Sequence, residues 1–157
     1  MANVKPIPEG YTTVTPSITV SDAPKAIDFY KKALGATEQG RYDGPDGKIM
    51  HAEIQVGTAR VMLMDEVMGS RSAQSYGGSP ISFYVYVENC DTAFKKALDA
   101  GGKEIAPVSD MFWGDRMGQF EDPFGYRWTI ATHKKDMTPQ ETKAAGDAWM
   151  KEMAGTR

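Results

Sequence analysis

The sequence predicts an α+β fold built from two paired β-α-β-β-β modules. They are expected to form a curved mixed sheet with a concave cleft and helices outside, followed by a C-terminal helix. Three observations carry this. The tetrapeptide KKAL occurs twice, at Lys31–Leu34 and at Lys95–Leu98. The residues before each copy run from period-two alternation into a polar junction and then into helical spacing. The residues after each copy carry turn signals that separate alternating strands, in the same order both times.

The elements follow from local chemistry. Ser17-Ile18-Thr19-Val20 alternates as a strand does. Asp22 then reads as an N-cap, with Pro24 tolerated in the first turn. Ala26, Phe29, Tyr30, Ala33 and Leu34 recur on one helical face, and Gly35 ends the helix. A short strand at Glu38–Tyr42, the turn Asp43-Gly44-Pro45-Asp46-Gly47, and strands Met50–Val56 and Arg60–Met64 complete module one.

Module two repeats the order. Tyr84–Val87 alternates, Asn89 or Asp91 caps a helix through Ala93, Phe94, Ala97 and Leu98, and Gly101-Gly102 stops it. Strands are expected at Lys103–Val108, Met117–Glu121 and Tyr126–Ala131, the last two joined by the turn Asp122-Pro123-Phe124-Gly125. The second helix is expected to be about one turn shorter than the first. Residues 1–157 then make one domain: module one at about 11–65, a linker at about 66–80, module two at about 81–133 and a helical tail at about 136–155. The linker has the Ser/Gly-rich composition of a mobile loop. The tail opens on Thr138-Pro139-Gln140-Glu141, a capping-box pattern, with Trp149, Met150 and Met153 among its apolar positions.

Composition narrows the function classes. The formal net charge is -3, which gives no general attraction to nucleic acid or anionic membrane. No apolar run approaches the roughly 20 residues that span a bilayer. The N-terminus lacks the apolar centre of a signal peptide, so a cytoplasmic protein is expected. Cys90 is the only cysteine, which excludes a disulfide framework within the chain. Imidazole chemistry rests on His51 and His133 alone.

Strand alternation assigns a ligand-facing side. It places Thr15, Ser17 and Thr19 there from the first strand, His51, Glu53 and Gln55 from the strand at Met50, and Ser82, Tyr84 and Tyr86 from the strand at Ile81. Arg127 and Thr129 join them from the last strand. Met50, Ala52, Ile54, Val56, Ile81, Phe83, Val85 and Val87 are expected to face the helices. Hydroxyls, aromatics and few charges suit a small organic ligand. In the loop Phe112-Trp113-Gly114-Asp115-Arg116, Trp113 can stack on a planar ligand and Arg116 can hold a carboxylate or phosphate. Alternatively, Asp115 and Arg116 pair with the loop backbone and Trp113 plugs the end of the sheet. His133 reads as a surface residue, and no nucleophile–base pair or phosphate loop stands out.

The stretches "ITVSDAPKAIDFYKKALGA", "PDGKIMHAEIQVG", "FWGDRMGQFEDPFGYRW" and "ATHKKDMTPQE" resemble the vicinal oxygen chelate superfamily of glyoxalases, bleomycin resistance proteins and extradiol dioxygenases, and within it the PhnB-like branch. The resemblance implies a homodimer and, in the enzymes, a divalent metal held by His and Glu. Carried over by position, the ligand sites fall near Thr15, His51, Ser82 and Thr129, three of which are hydroxyls that bind such metals poorly. No cofactor is therefore expected. The reading is a protein that binds a small organic molecule without a tightly bound metal. The alternative is a metal-dependent lyase, isomerase or epimerase using His51 and Glu53, with Glu121 as a third ligand and Glu53 as a base.

Overall fold

A computed structural model of the protein describes residues 4–155. The elements are β1 (Ser17–Val20), α1 (Ala23–Leu34), β2 (Thr37–Asp43), β3 (Ile49–Val56), β4 (Ala59–Asp65), β5 (Ser82–Tyr86), α2 (Cys90–Asp99), β6 (Lys103–Asp110), β7 (Asp115–Glu121), β8 (Arg127–His133) and α3 (Pro139–Gly155). Both modules read β-α-β-β-β. The eight strands form two four-stranded sheets of matching order, β1-β4-β3-β2 and β5-β8-β7-β6. In each, the first strand runs parallel to the last and the remaining pairs are antiparallel.

The helix ends behave as capping chemistry dictates. The Asp22 carboxylate accepts from the Lys25 N–H, and Pro24 lies in the first turn. Gly35 takes a left-handed conformation at φ 66°, and its N–H reaches the Tyr30 carbonyl. In α2 the cap is Asn89, not Asp91, and accepts from the Thr92 N–H at 3.0 Å. The helices differ by only two residues, 12 against 10, because α2 runs one residue past Leu98. Measured from their caps, however, the KKAL copies sit one turn apart. The Thr138–Glu141 capping box forms reciprocally at the start of α3.

One continuous core joins the modules. Phe29 and Tyr30 of α1 meet module-two rings: Phe29 lies 6.5 Å from Phe120, and Tyr30 lies 5.4 Å from Trp128. Phe94 of α2 meets Phe120 from the other helix at 6.4 Å. Each ring so buried contributes roughly 1.5–3 kcal/mol. The turn after β7 is tied into this core by a carboxylate. Asp122, 4 % exposed, accepts from Tyr30 Oη and Trp128 Nε1, each at 2.8 Å, and from the Phe124 and Tyr126 N–H groups.

Two expectations need correction. Ile81 was assigned to the helix-facing side, yet it is exposed, because β5 starts one residue later. The linker has the composition of a mobile loop, yet it is tied down. Glu66 accepts from the Ser72 N–H, Ser72 Oγ and Ser75 Oγ, Gln74–Tyr76 forms a 3-10 turn, and Gln74 bridges Ser21 and the Pro123 carbonyl. The hydrogen bonds from Ser75 and Ser72 hold the Glu66 carboxyl down at about 2. α3 carries no buried residue; Trp149 meets Phe112 of the domain while Met150 and Met153 remain exposed.

Candidate functional site

A cavity of about 860 Å³ lies between β1 and β5, with the linker as its third wall. β1 and β5 are edge strands, each bonded on one side only. The facing edges therefore leave a slot, and the pinned linker closes part of it. Both faces of the two strands line this cavity: Ser17 and Ser82 from the side expected to meet a ligand, and Phe83, expected to face the helices, with Ile18 and Tyr126. Ser79–Ser82 also wall a smaller hollow of about 240 Å³ that holds Gln119, Arg127 and Thr129. Thr129 is 3 % exposed, and its hydroxyl accepts from Gln119 Nε2. Thr15 sits apart, in a shallow hollow under Pro6–Pro8 and Tyr11.

His51 and Glu53 lie on β3, one strand removed from the central pair. Module symmetry explains the difference from the expected position. Thr129 on β8 stands opposite Tyr84, and Met62 on β4 stands opposite Ser17 at the corresponding place. Met62, not His51, is the module-one counterpart of Thr129. Glu53 accepts from His51 Nε2 at 3.2 Å and from Arg60 Nη1 at 3.1 Å. The Arg60 guanidinium also lies 4.9 Å over the Tyr11 ring. The Tyr11 hydroxyl, then His51 and Arg60, hold the Glu53 carboxyl below its usual range against the effect of burial.

These residues do not fit the family's divalent metal. Thr15, Ser82 and Thr129 are poor donors, Met62 occupies the central place, and the Glu53 carboxylate is engaged by a guanidinium. Glu121 belongs to the other sheet and faces Arg127 at 3.8 Å, so it does not join His51 and Glu53. Among the described residues, no three His, Cys, Asp or Glu side chains converge to hold a metal.

A second polar cluster occupies the open face of module two. Asp115 is 4 % exposed and stands directly opposite His133. Its Oδ2 accepts from Tyr84 Oη, Tyr86 Oη and Trp113 Nε1 at 3.1, 2.9 and 3.3 Å. Its Oδ1 lies 2.8 Å from His133 Nδ1, and His133 Nε2 lies 3.0 Å from Asp136. Burial opposes the Asp115 charge, but hydrogen bonds from His133, Tyr86, Tyr84 and Trp113 outweigh it and keep the carboxyl below its usual range. Desolvation and the bond to Asp115 push the Tyr84 hydroxyl up to about 12.

The sequence points to Tyr84 and Trp113 as ligand-facing and to His133 as a surface residue; His133 is exposed, and its ring is engaged by Asp115. The signal lay in strand pairing rather than alternation, since Asp115 and His133 meet only once β7 and β8 are in register. Arg116 is engaged elsewhere, with two bonds to Asp91 and one to Asp110. Trp113 and Arg116 are thus outside the cavity that holds Ser17 and Ser82.

Comparisons with known proteins agree with this architecture. The family model for the Glyoxalase/Bleomycin resistance protein/Dioxygenase superfamily matches residues 11–130. An uncharacterised protein of Mycobacterium bovis is 39% identical over 137 residues, covering 84% of this chain and 90% of the relative. The solved structure of an Arabidopsis thaliana gene product superposes with a TM-score of 0.64 at 26% identity, over 77% of this chain and 98% of the other. TioX from Micromonospora superposes at 0.62 and 23% identity, over 81% and 100%. A Bacillus cereus PhnB protein, described as a putative 3-demethylubiquinone-9 3-methyltransferase, superposes at 0.60 and 21% identity, over 77% and 99%.

Proposed function

The chain belongs to the Glyoxalase/Bleomycin resistance protein/Dioxygenase superfamily, and from that membership we propose that it binds a small organic molecule between β1 and β5 without a tightly bound metal. The observation that carries the reading is the composition of the cavity. It has room for a ligand of ordinary size, apolar walls and a few hydroxyls, and its lining contains no His, Cys, Asp or Glu.

The alternative, a metal-dependent lyase, isomerase or epimerase, draws only on the His51–Glu53 contact, and Arg60 competes for that carboxylate. A homodimer belongs to the proposal. The unburied face of α3 supports it, since a partner would cover that face. So does a cytoplasmic location, which suits a lone, buried, unpaired Cys90. No partner of nucleic-acid or membrane type is proposed; among the described residues no helix is long and apolar enough to cross a membrane.

The test is a thermal-shift screen of small organic compounds on the wild type and on Ser82→Trp, which fills the mouth of the cavity. Compounds that stabilise the wild type should lose their effect in the variant. Equal shifts in both would place binding elsewhere. Elemental analysis of the same preparation should find well below one metal per chain. Stoichiometric metal that is lost in His51→Ala would reverse the choice between the readings. Sedimentation at micromolar concentration checks the dimer, and a monomer there removes that part of the proposal.

A further inference from the structure

We infer that the cavity between β1 and β5 selects organic monoanions, specifically carboxylates on an apolar body, and that Arg71 is the residue that selects them. This rests on the ligand-binding reading above and adds the chemical class.

Arg71 is the only charged side chain lining the cavity among the described residues. It stands on the linker wall, exposed, with no carboxylate among the described residues within ion-pair distance. Two contacts fix its guanidinium. Nη2 donates to the Ser75 carbonyl at 2.6 Å, and the group lies 4.8 Å over the Tyr76 ring. The remaining N–H donors keep the forked geometry that matches a carboxylate. Glu66 accepts from Ser72 and Ser75 and makes no hydrogen bond to the guanidinium. The 3-10 turn Gln74–Tyr76 thus holds a guanidinium whose fork is taken by no carboxylate among the described residues.

The rest of the lining defines the remainder of the ligand. Ile18, Phe83 and Tyr126 offer apolar surface. The Ser17 and Ser82 hydroxyls make no side-chain hydrogen bond within the described residues, so they are free to meet one or two polar groups. One cation with no second arginine or lysine in the lining matches one negative charge, which favours a carboxylate over a phosphate dianion.

Equilibrium dialysis of matched pairs tests this: octanoate against octanamide, and 2-naphthoate against 2-naphthamide, on the wild type, Arg71→Met and Arg71→Lys. Circular dichroism confirms folding of each variant. In the wild type the carboxylate of each pair should bind about tenfold tighter than its amide, as expected for one charge-assisted contact. Arg71→Met should abolish that preference, Arg71→Lys should keep part of it, and 0.5 M salt should shrink it. Ser82→Trp should weaken both members of a pair. Equal affinities for acid and amide, or a preference that survives Arg71→Met, would overturn the selection by Arg71 and leave the cavity as a ligand site. Failure of all four probes to bind the wild type would overturn this inference together with the reading it rests on.

Discussion

In module one, the start of α1 is held by Asp65, whose carboxylate accepts the Ala23 N–H at 2.7 Å and the Ile49 N–H at 2.8 Å. At the same place in module two stands Thr132. Its hydroxyl accepts the Cys90 N–H at 2.9 Å and donates to the Val87 carbonyl at 2.8 Å. Both solutions satisfy a helix N-terminus that would otherwise be buried without a partner. Module one uses a charge to do it and module two uses a neutral group. The reverse holds at the turn between the last two strands. Module one closes it with Gly57-Thr58, while module two buries the Asp122 carboxylate there. Duplicated backbones thus keep their hydrogen-bonding needs but not the residues that meet them. The position of each buried carboxylate shows which joint it secures: Asp65 closes module one on itself, and Asp122 closes module two onto α1.

The strongest way to break this asymmetry is Asp122→Ala. It strands Tyr30 Oη, Trp128 Nε1 and two backbone N–H groups, and should cost roughly 3 kcal/mol or more in urea unfolding. Ordinary surface-level loss, under about 0.5 kcal/mol, would show that Asp122 is not the joint.

A smaller effect separates the β3 and β7 strands at matched positions. Ala52 faces Leu63, and Gly118 faces Ile130 at the equivalent place. A Cβ on Gly118 would come within 2.9 Å of Val108 and 3.0 Å of Phe94. Gly118→Ala should therefore destabilise by about 1–3 kcal/mol through overpacking. Ala52→Gly should cost about 1 kcal/mol for backbone freedom and a lost methyl group. Equal costs would mean that α2 yields where Phe94 now stands.

The smallest effect concerns charge on the open face. Hydrogen bonds to Asp115 and then Asp136 raise the His133 pKa above its usual 6.5. Its contribution to stability is then full below about pH 6.5 and is lost as pH rises through the raised value. Asp115 is lowered, so its contribution is present above the usual carboxylate range and is lost as pH falls through the lowered value. NMR titration should place His133 above a free imidazole in the wild type and lower in Asp115→Asn. An unchanged midpoint would deny the pairing.

The fold was legible because it rests on local signals. Alternation and the caps at Asp22 and Asn89 each lie within a few residues and recur in both modules, and the capping box at Thr138 is just as local. The open-face clusters were only half legible. Alternation turns Ser17, Ser82, Tyr84, His51 and Glu53 away from the core, where none of them is buried, but it does not give the lateral order of strands, so it sets His51 one strand too near the centre. Asp115 with His133, and Asp122 with Tyr30 and Trp128, depend on register and on contacts across the chain that no local period encodes. The linker misled for a related reason. Serine and glycine suggest mobility until a carboxylate such as Glu66 is close enough to gather the hydroxyls.

The ties between α1 and the second half also bear on how the chain is made. Tyr30 meets Asp122 across a sequence separation of 92 residues, and Tyr126 Oη reaches the Thr19 carbonyl across 107. At ordinary elongation rates roughly 5–20 s pass on the ribosome between the two ends of such a contact. Throughout that interval the Phe29–Tyr30 face of the nascent first half lacks Phe120, Phe124 and Trp128, although its own sheet can already pair. The interval marks when the growing polypeptide is most open to chaperone capture or to sticking to a neighbouring nascent chain, and it ends only when the last strands emerge.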